Sequence, residues 1–414
     1  MRTVVQSRAK PKHPSMYSRI TARNVFIFII LSALASFFLY TSNFHSSASS
    51  TPIPDLDIPL TLITERAKAL ASHSREYGTL AEALLELHNP SLAVFSSRAF
   101  PADAVPAHPP WLDVQGLEYA QHFIGIDNGS AALADSDGSA ADPAALGVAA
   151  VMIGQADGAF LKAAQQQLHL LRKQTPRLDN GAISHIDDEA EAWANFVALV
   201  PPFFAYYAVV SSDLALLDEA VEQVRLYRAL LRDESSGLWR HVYGPRDEDS
   251  GFWSTGCGWA AMGMARTAAT IRNWSPAASR EKARGWSILA TWVKEIVDAV
   301  IANDDDKSGL LRNYLDDTDY FGDTSGSALM AATVYRMAVL EPTVFGKKYV
   351  QWAEKKTIAV MKQVDHHTGI VAFATNPIEP TSRIPMVTGS SEGQSFILML
   401  YAARLDYLEW KKTS

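Results

Sequence analysis

The chain has 414 residues, 48% hydrophobic and 20% charged, with a net charge of −8 and a pI near 5.8. This composition supports a large packed core and excludes wholesale disorder, while the acidic balance excludes nucleic acid as a partner, since gripping phosphates requires a basic face. A single cysteine, Cys257, excludes an internal disulfide and leaves stability to packing.

Residues 1–24 form a basic tail with Arg2, Arg8, Lys10, Lys12, Arg19 and Arg23, followed by the apolar run 25–44. Twenty helical residues cross a hydrocarbon core, and positive charge ahead of the span holds that side in the cytoplasm. The pattern predicts a type II signal anchor in the lipid bilayer with a lumenal or extracellular body; the alternative is a signal peptide cleaved among Ser46 to Ser50, giving a secreted protein. Two sequons, Asn128-Gly129-Ser130 and Asn273-Trp274-Ser275, suit that compartment. Residues 45–56, rich in Ser, Thr and Pro, read as a stem, and 57–414 as the folded domain.

Within that domain, helical periodicity recurs over 60–73, 78–87, 115–124, 147–174, 187–210, 213–231, 256–271, 277–301, 325–340, 347–364 and 391–408. Strand patterns are nearly absent. Between the helices one local pattern repeats four times, a glycine followed by apolar residues, at Gly181 (running to His185), Gly237 (to His241), Gly309 (to Asn313) and Gly369. Such self-similarity marks stacked helix pairs, here an all-α toroid, an (α/α)6 barrel, whose glycine loops are expected to line a shared cup.

Trp193-Ala194-Asn195-Phe196 with Pro201-Pro202-Phe203 resembles the W-x-D and P-F signature of the six-hairpin glycosidases, in particular the unsaturated rhamnogalacturonyl and glucuronyl hydrolases of glycoside hydrolase families 105 and 88. Gly237-Leu238-Trp239 with His241 resembles their G-L-W-x-H loop. Trp253, Gly256, Gly258 and Trp259 resemble W-x-R-G-N-G-W, and Thr324 to Ala328 reads T-S-G-S-A. The resemblance implies an (α/α)6 barrel and hydrolysis of a terminal, unsaturated uronic sugar of an oligosaccharide without metal or organic cofactor. It also implies that an aspartate at position 195 protonates the sugar. Asn195 cannot transfer a proton near neutral pH, and Thr255 stands where the family has an arginine able to fork a substrate carboxylate.

If chemistry persists, another carboxylate must supply it. Asp188 and Glu191 fall on the face of Asn195 if one helix spans 187–210, with helix capping as the competing role. Asp316, Asp317, Asp319 and Asp323 sit between a repeated loop and a helix start, where a turn and N-cap are the plain alternative. Asp127 is a third position. Trp193, Trp239, Trp253 and Trp259 are expected to stack on sugar rings, with His185 and His241 as substrate contacts, against core packing as the ordinary role of each. Gly389-Ser390-Ser391-Glu392-Gly393 matches G-x-S-x-G but lacks the strand a nucleophile elbow needs, so it reads as another helix start. Asp304 to Gly309 lacks the calcium-binding glutamate at its twelfth position, Leu315, and His366-His367 has no second ligand pair, so no metal site is expected. Two functions follow: a membrane-anchored glycoside hydrolase with relocated catalysis, or a silent relative that binds glycans.

Overall fold

The computed structural model describes residues 56–106, 113–126, 129–277 and 283–414. The expected span 25–44, Asp127 and Asn128 lie outside them. Among the described residues twelve α-helices alternate between an outer and an inner ring. The outer helices are α1 (Leu60–Leu70), α3 (Gln115–Gln121), α5 (Gly158–Lys173), α7 (Leu214–Leu231), α9 (Ala283–Ala302) and α11 (Lys347–Met361). The inner helices are α2 (Ser74–His88), α4 (Gly147–Ile153), α6 (Phe196–Ser211), α8 (Ser254–Asn273), α10 (Thr324–Leu340) and α12 (Ser391–Thr413). None of them is long and apolar enough to cross a membrane.

Amphipathicity sorts the helices. In α7, Leu216, Leu217, Ala220, Gln223, Val224, Tyr227 and Leu231 are buried at three- and four-residue spacing, and Asp213 starts the helix by accepting from the Ala215 and Leu216 amides. The inner helices are buried nearly all round and keep their polarity internal: the hydroxyls of Thr267, Thr333 and Ser395 donate to carbonyls four residues back. In sequence around the ring, α2 packs on α12, α12 on α10, α10 on α8, α8 on α6, and α6 on α4. The 3-10 turn Asp142–Leu146 closes the circle against α2.

Two expected boundaries move. The helix expected over 147–174 is broken into α4 and α5 by residues 154–157, with Asp157 capping α5 at the Ala159 amide. The helix expected over 187–210 begins only at Phe196; before it, β1 (Ala192–Trp193) pairs antiparallel with β2 (Val242–Tyr243). Asp188 and Glu191 therefore share no helix face with Asn195. A second ribbon, β3 (Leu311–Arg312) with β4 (Gly322–Asp323), precedes α10.

The four repeated glycines all have left-handed backbone, φ from 72° to 93°, as corners between an outer and the next inner helix. Asp233, Asp306 and Asp365 brace three of these corners by accepting from the amides of Ser236, Ser308 and Thr368, while Asp304 accepts from Trp352 and Lys356 and Asp305 from Arg312, so the acidic run at 304–306 is committed within the fold. The corners do not face the hollow. Gly181 abuts Leu226 of α7, Gly237 abuts Ala299 of α9, Gly309 abuts Ala359 of α11 and Gly369 abuts Leu62 of α1. Each corner thus packs on the outer helix of the following hairpin, and the chain turns inward about four residues later.

About three turns below the helix starts, Arg266 of α8 pairs with Glu82 and Glu86 of α2, and Arg336 of α10 with Glu86 and Asp406 of α12. Above this network α6 and α8 approach closely. Pro201 and Pro202 have no N–H for the Val197 and Ala198 carbonyls, and at that place α8 carries Gly263, where a Cβ would overlap the Val197 carbonyl. Gly263→Ala is expected to separate α6 from α8 and to lower stability by about 1–3 kcal/mol, measured by urea denaturation.

Candidate active site

All six inner helices start at one end, and residues at five of those starts line a cavity of about 780 Å3: Arg75, Asp142, Asn195, Trp253 and Glu392. Arg75 is the tie between two buried acids. Its Nε donates to Glu392 Oε1 at 2.7 Å and its Nη1 to Asp142 Oδ2 at 3.0 Å. The two carboxyls are driven apart. Burial pushes Glu392 up to about 7, with Glu76 and Asp142 adding to the rise and Arg75 opposing it. Burial also acts on Asp142, but the contacts with His185 and Arg75 outweigh it and hold that carboxyl well below its ordinary value.

His185 is 2% exposed, with Nε2 3.3 Å from Asp142 Oδ1. Its ring stacks on Trp193 at 5.0 Å and 11°. Trp193 meets the edge of His241 at 5.8 Å, and His241 leans on Trp253 at 4.5 Å, so imidazole and indole rings alternate along one wall. His241 Nδ1 lies 2.9 Å from Asp249 Oδ2, to which the Tyr314 hydroxyl also donates. Desolvation pushes the Asp249 carboxyl up, but these bonds win and keep it low. Trp253 Nε1 donates to Asn313 at 3.0 Å and to Thr375 at 3.2 Å. Asn195 directly precedes α6 and is 7% exposed; its Oδ1 has no hydrogen-bond partner among the described residues.

The structure brings together Asn195, Asp188, His185, Trp193, His241, Trp253 and Trp259 in the cavity wall. Trp239 and Asp317 fall outside it. Trp239 is 1% exposed within the core, its carbonyl accepting from Cys257 Sγ, because a corner strand rather than the cup claims it. Asp317 binds Arg383 at 2.7 Å and so latches loop 376–385, which also receives Asn313 at the Pro380 carbonyl and Tyr320 at the Thr381 carbonyl. Asp316 and Asp319 are exposed outside the cavity wall. Asp323 is a fully buried N-cap of α10, accepting from the Ser325 and Gly326 amides and from Thr255 Oγ1. Asp188 is exposed at the rim, bound by both its oxygens to Arg246. Glu191 is buried and serves the backbone, its Oε1 accepting from the Arg246 and Asp247 amides and its Oε2 from Trp193 Nε1.

Sequence reasoning passed over Arg75, Asp142, Asp249 and Glu392. Glu392 lay in plain view inside the rejected G-x-S-x-G match: an acidic residue in the first turn of an apolar helix is ordinarily solvent-facing, and only ring closure by α12 buries it. Asp142, just ahead of the apolar run 144–153, was the one available signal for the other acid.

A ring of six inner helices, five of whose starts line a cup with paired acids and aromatic rings in its wall, defines a six-hairpin glycosidase architecture. The chain matches glycosyl hydrolase family 88 over residues 144–379, more than half its length, and belongs to that family. It is 23% identical over 218 residues, 50% of its length, to the unsaturated rhamnogalacturonyl hydrolase YesR of Bacillus subtilis, and the match spans 58% of that relative. A possible family 105 member from Salmonella enterica serovar Paratyphi A shares the fold at a TM-score of 0.64 with 16% identity, covering 88% of this chain and 98% of that one. A family 105 glycoside hydrolase from C. acetobutylicum does so at 0.63 with 15% identity, covering 84% and 100%. At these identities the solved structures establish the fold alone.

Glu191→Ala removes the acceptor for two amides in the turn at 244–247. The expected result is at least about tenfold faster hydrogen exchange at Arg246 and Asp247, read by NMR or mass spectrometry, with the α8 amides unaffected.

Proposed function

We propose that this protein is a glycoside hydrolase that takes the terminal sugar of an oligosaccharide into the cup, with Glu392 and Asp142 performing the proton transfers that Asn195 cannot. The observation that carries this reading is the separation of two neighbouring carboxyls on one guanidinium, one pushed up to about 7 and the other held low. Environments that drive two acids apart assign them opposite roles at neutral pH. Glu392 keeps its proton for much of the neutral range and donates it to the leaving oxygen. Asp142, ionised and steadied by Arg75 and His185, accepts the proton of the attacking water, which joins the anomeric carbon as the glycosidic bond breaks. Trp193, only partly buried in the wall, is the indole that can meet the sugar's C–H surface, with the buried Trp253 backing His241 behind it. Family membership and the name of the curated relative support the hydrolase class, and a terminal sugar fits a cup closed at its lower end by packed inner helices.

The test uses the full-length chain on neutral, amino and unsaturated uronyl oligosaccharides. Glu392→Gln is expected to lower kcat by about 10²–10⁴, the range of one acid–base group. In the wild type, activity is expected to fall as pH rises through about 7, because the acid form of Glu392 is lost there, with Arg75, Glu76, Asp142 and His185 setting the midpoint. Activity seen only in Asn195→Asp, with binding but no turnover in the wild type, overturns the proposal.

A further inference from the structure

The ribbon that presents Trp193 to the cup has a second face. Successive side chains of a strand point to opposite sides, so in β2 Val242 lines the cup while Tyr243 lines a separate cavity of about 530 Å3, bordered by Arg177, Asp179, Leu230, Gly244 and Pro245. The turn that follows divides the two. Its first residues, Gly244 and Pro245, line the second cavity, Arg246 and Asp247 line the cup, and Glu248 borders both. A ligand too long for the cup that leaves it across Glu248 therefore arrives over Tyr243.

The turn is held from within the fold. Glu191 accepts from the Arg246 and Asp247 amides, its side chain occupies the place that a Cβ at Gly244 would take, and Asp188 binds the Arg246 guanidinium. The spacing between the cup and the second cavity is thus set by a buried carboxylate and not by an unsupported loop. The lining beyond the turn is equally particular. Tyr243 is 43% exposed, and among the described residues it is the one aromatic ring left exposed, every other Trp, Tyr and Phe being at least partly buried. Leu178 and Leu230 give the cavity an apolar floor, and Asp179 and Glu248, both exposed, have no side-chain partner among the described residues. An open ring above an apolar floor, with acceptors at its margin, suits a sugar whose C–H face lies on the ring while its hydroxyls donate to the acids.

We infer that this second cavity is a subsite for the more distant sugars of the oligosaccharide whose terminal sugar enters the cup, with Tyr243 as its stacking platform. The inference rests on the glycoside hydrolase reading for the kind of ligand, but its test reads binding as well as turnover. The ligand crosses turn 244–248 and is held on both sides of it, so affinity grows with chain length while the chemistry at the terminal sugar stays the same.

The full-length chain is assayed on an unsaturated galacturonyl-rhamnose disaccharide and on the hexasaccharide of the same repeat. In the wild type the hexasaccharide is expected to have a KM at least about tenfold below that of the disaccharide, at equal kcat. Tyr243→Ala is expected to erase most of that difference while leaving kcat on both substrates and the disaccharide KM unchanged, and Tyr243→Phe, which keeps the ring, to retain it. Because the side chain is so exposed, the urea midpoint of each variant is expected to match the wild type. Affinities for the same two ligands are read by calorimetry in Glu392→Gln, with and without Tyr243→Ala. Equal KM and affinity for the two lengths, an equal loss on both in Tyr243→Ala, or binding of neither, overturns the inference. A Tyr243-dependent preference for the hexasaccharide in binding, without turnover in the wild type, leaves it standing and removes the hydrolase reading, whereas turnover of both lengths with no preference does the reverse.

Discussion

Six inner helices can close one ring around a cup only if they touch backbone to backbone, and glycine makes that contact possible. Gly78 of α2 meets Ala145 ahead of α4, Gly263 of α8 meets the Val197 carbonyl of α6, Gly326 of α10 meets Ser254 of α8, and Gly393 of α12 meets Ser325 of α10. A side chain at any of these would widen the inner ring, because packed interiors yield little. The ring's diameter then fixes where Arg75, Asp142, Asn195, Trp253 and Glu392 stand relative to one another. The geometry of the cup is a consequence of helix spacing.

The same convergence gives the cup its electrostatics. Helix N-termini carry partial positive charge and unsatisfied amides, which favour carboxylates beside them. Asp323 shows the effect in its simplest form: burial pushes its carboxyl up, yet amides of α10 and of Thr375 together with the Thr255 hydroxyl accept it into the interior. Glu392 has Arg75 as its only ion-pair partner among the described residues and shares that guanidinium with Asp142, and burial pushes its carboxyl up to about 7. Burial thus pushes both carboxyls above their ordinary value, and what differs between them is the partner that opposes it: amides and a hydroxyl at Asp323, a shared guanidinium at Glu392.

Much of this architecture was legible in the chain. The glycine repeat exposed the hairpin period because left-handed corners between packed helices admit little else, and Trp193, His241 and Trp253 were found because they stand in motifs that resemble those of the six-hairpin glycosidases. The inward direction of the corners was misjudged for a physical reason: Gly181, Gly237, Gly309 and Gly369 face the next outer helix, and a local pattern does not say which side of a turn the neighbouring hairpin occupies. The helix expected over 187–210 failed at its start because the acidic and small residues 187–195 satisfy helical periodicity while their backbone is claimed by β2 and by the Ser184 hydroxyl, a pairing between segments about fifty residues apart. Glu392 was beyond reach for a similar reason, since its environment is assembled from α2 and the turn ahead of α4, some three hundred residues earlier in the chain.

Asn195 shows how such a scaffold tolerates a change at its centre. An aspartate there would sit 7% exposed in a wall already rich in carboxylates, and its charge would meet no free cation. The amide avoids that repulsion and leaves an acceptor oxygen in place, while Glu392, at the start of another inner helix, is a buried acid pushed up to about 7. Because the starts of five inner helices reach the same hollow, a polar residue can be exchanged at one of them without altering the fold that the others hold in place.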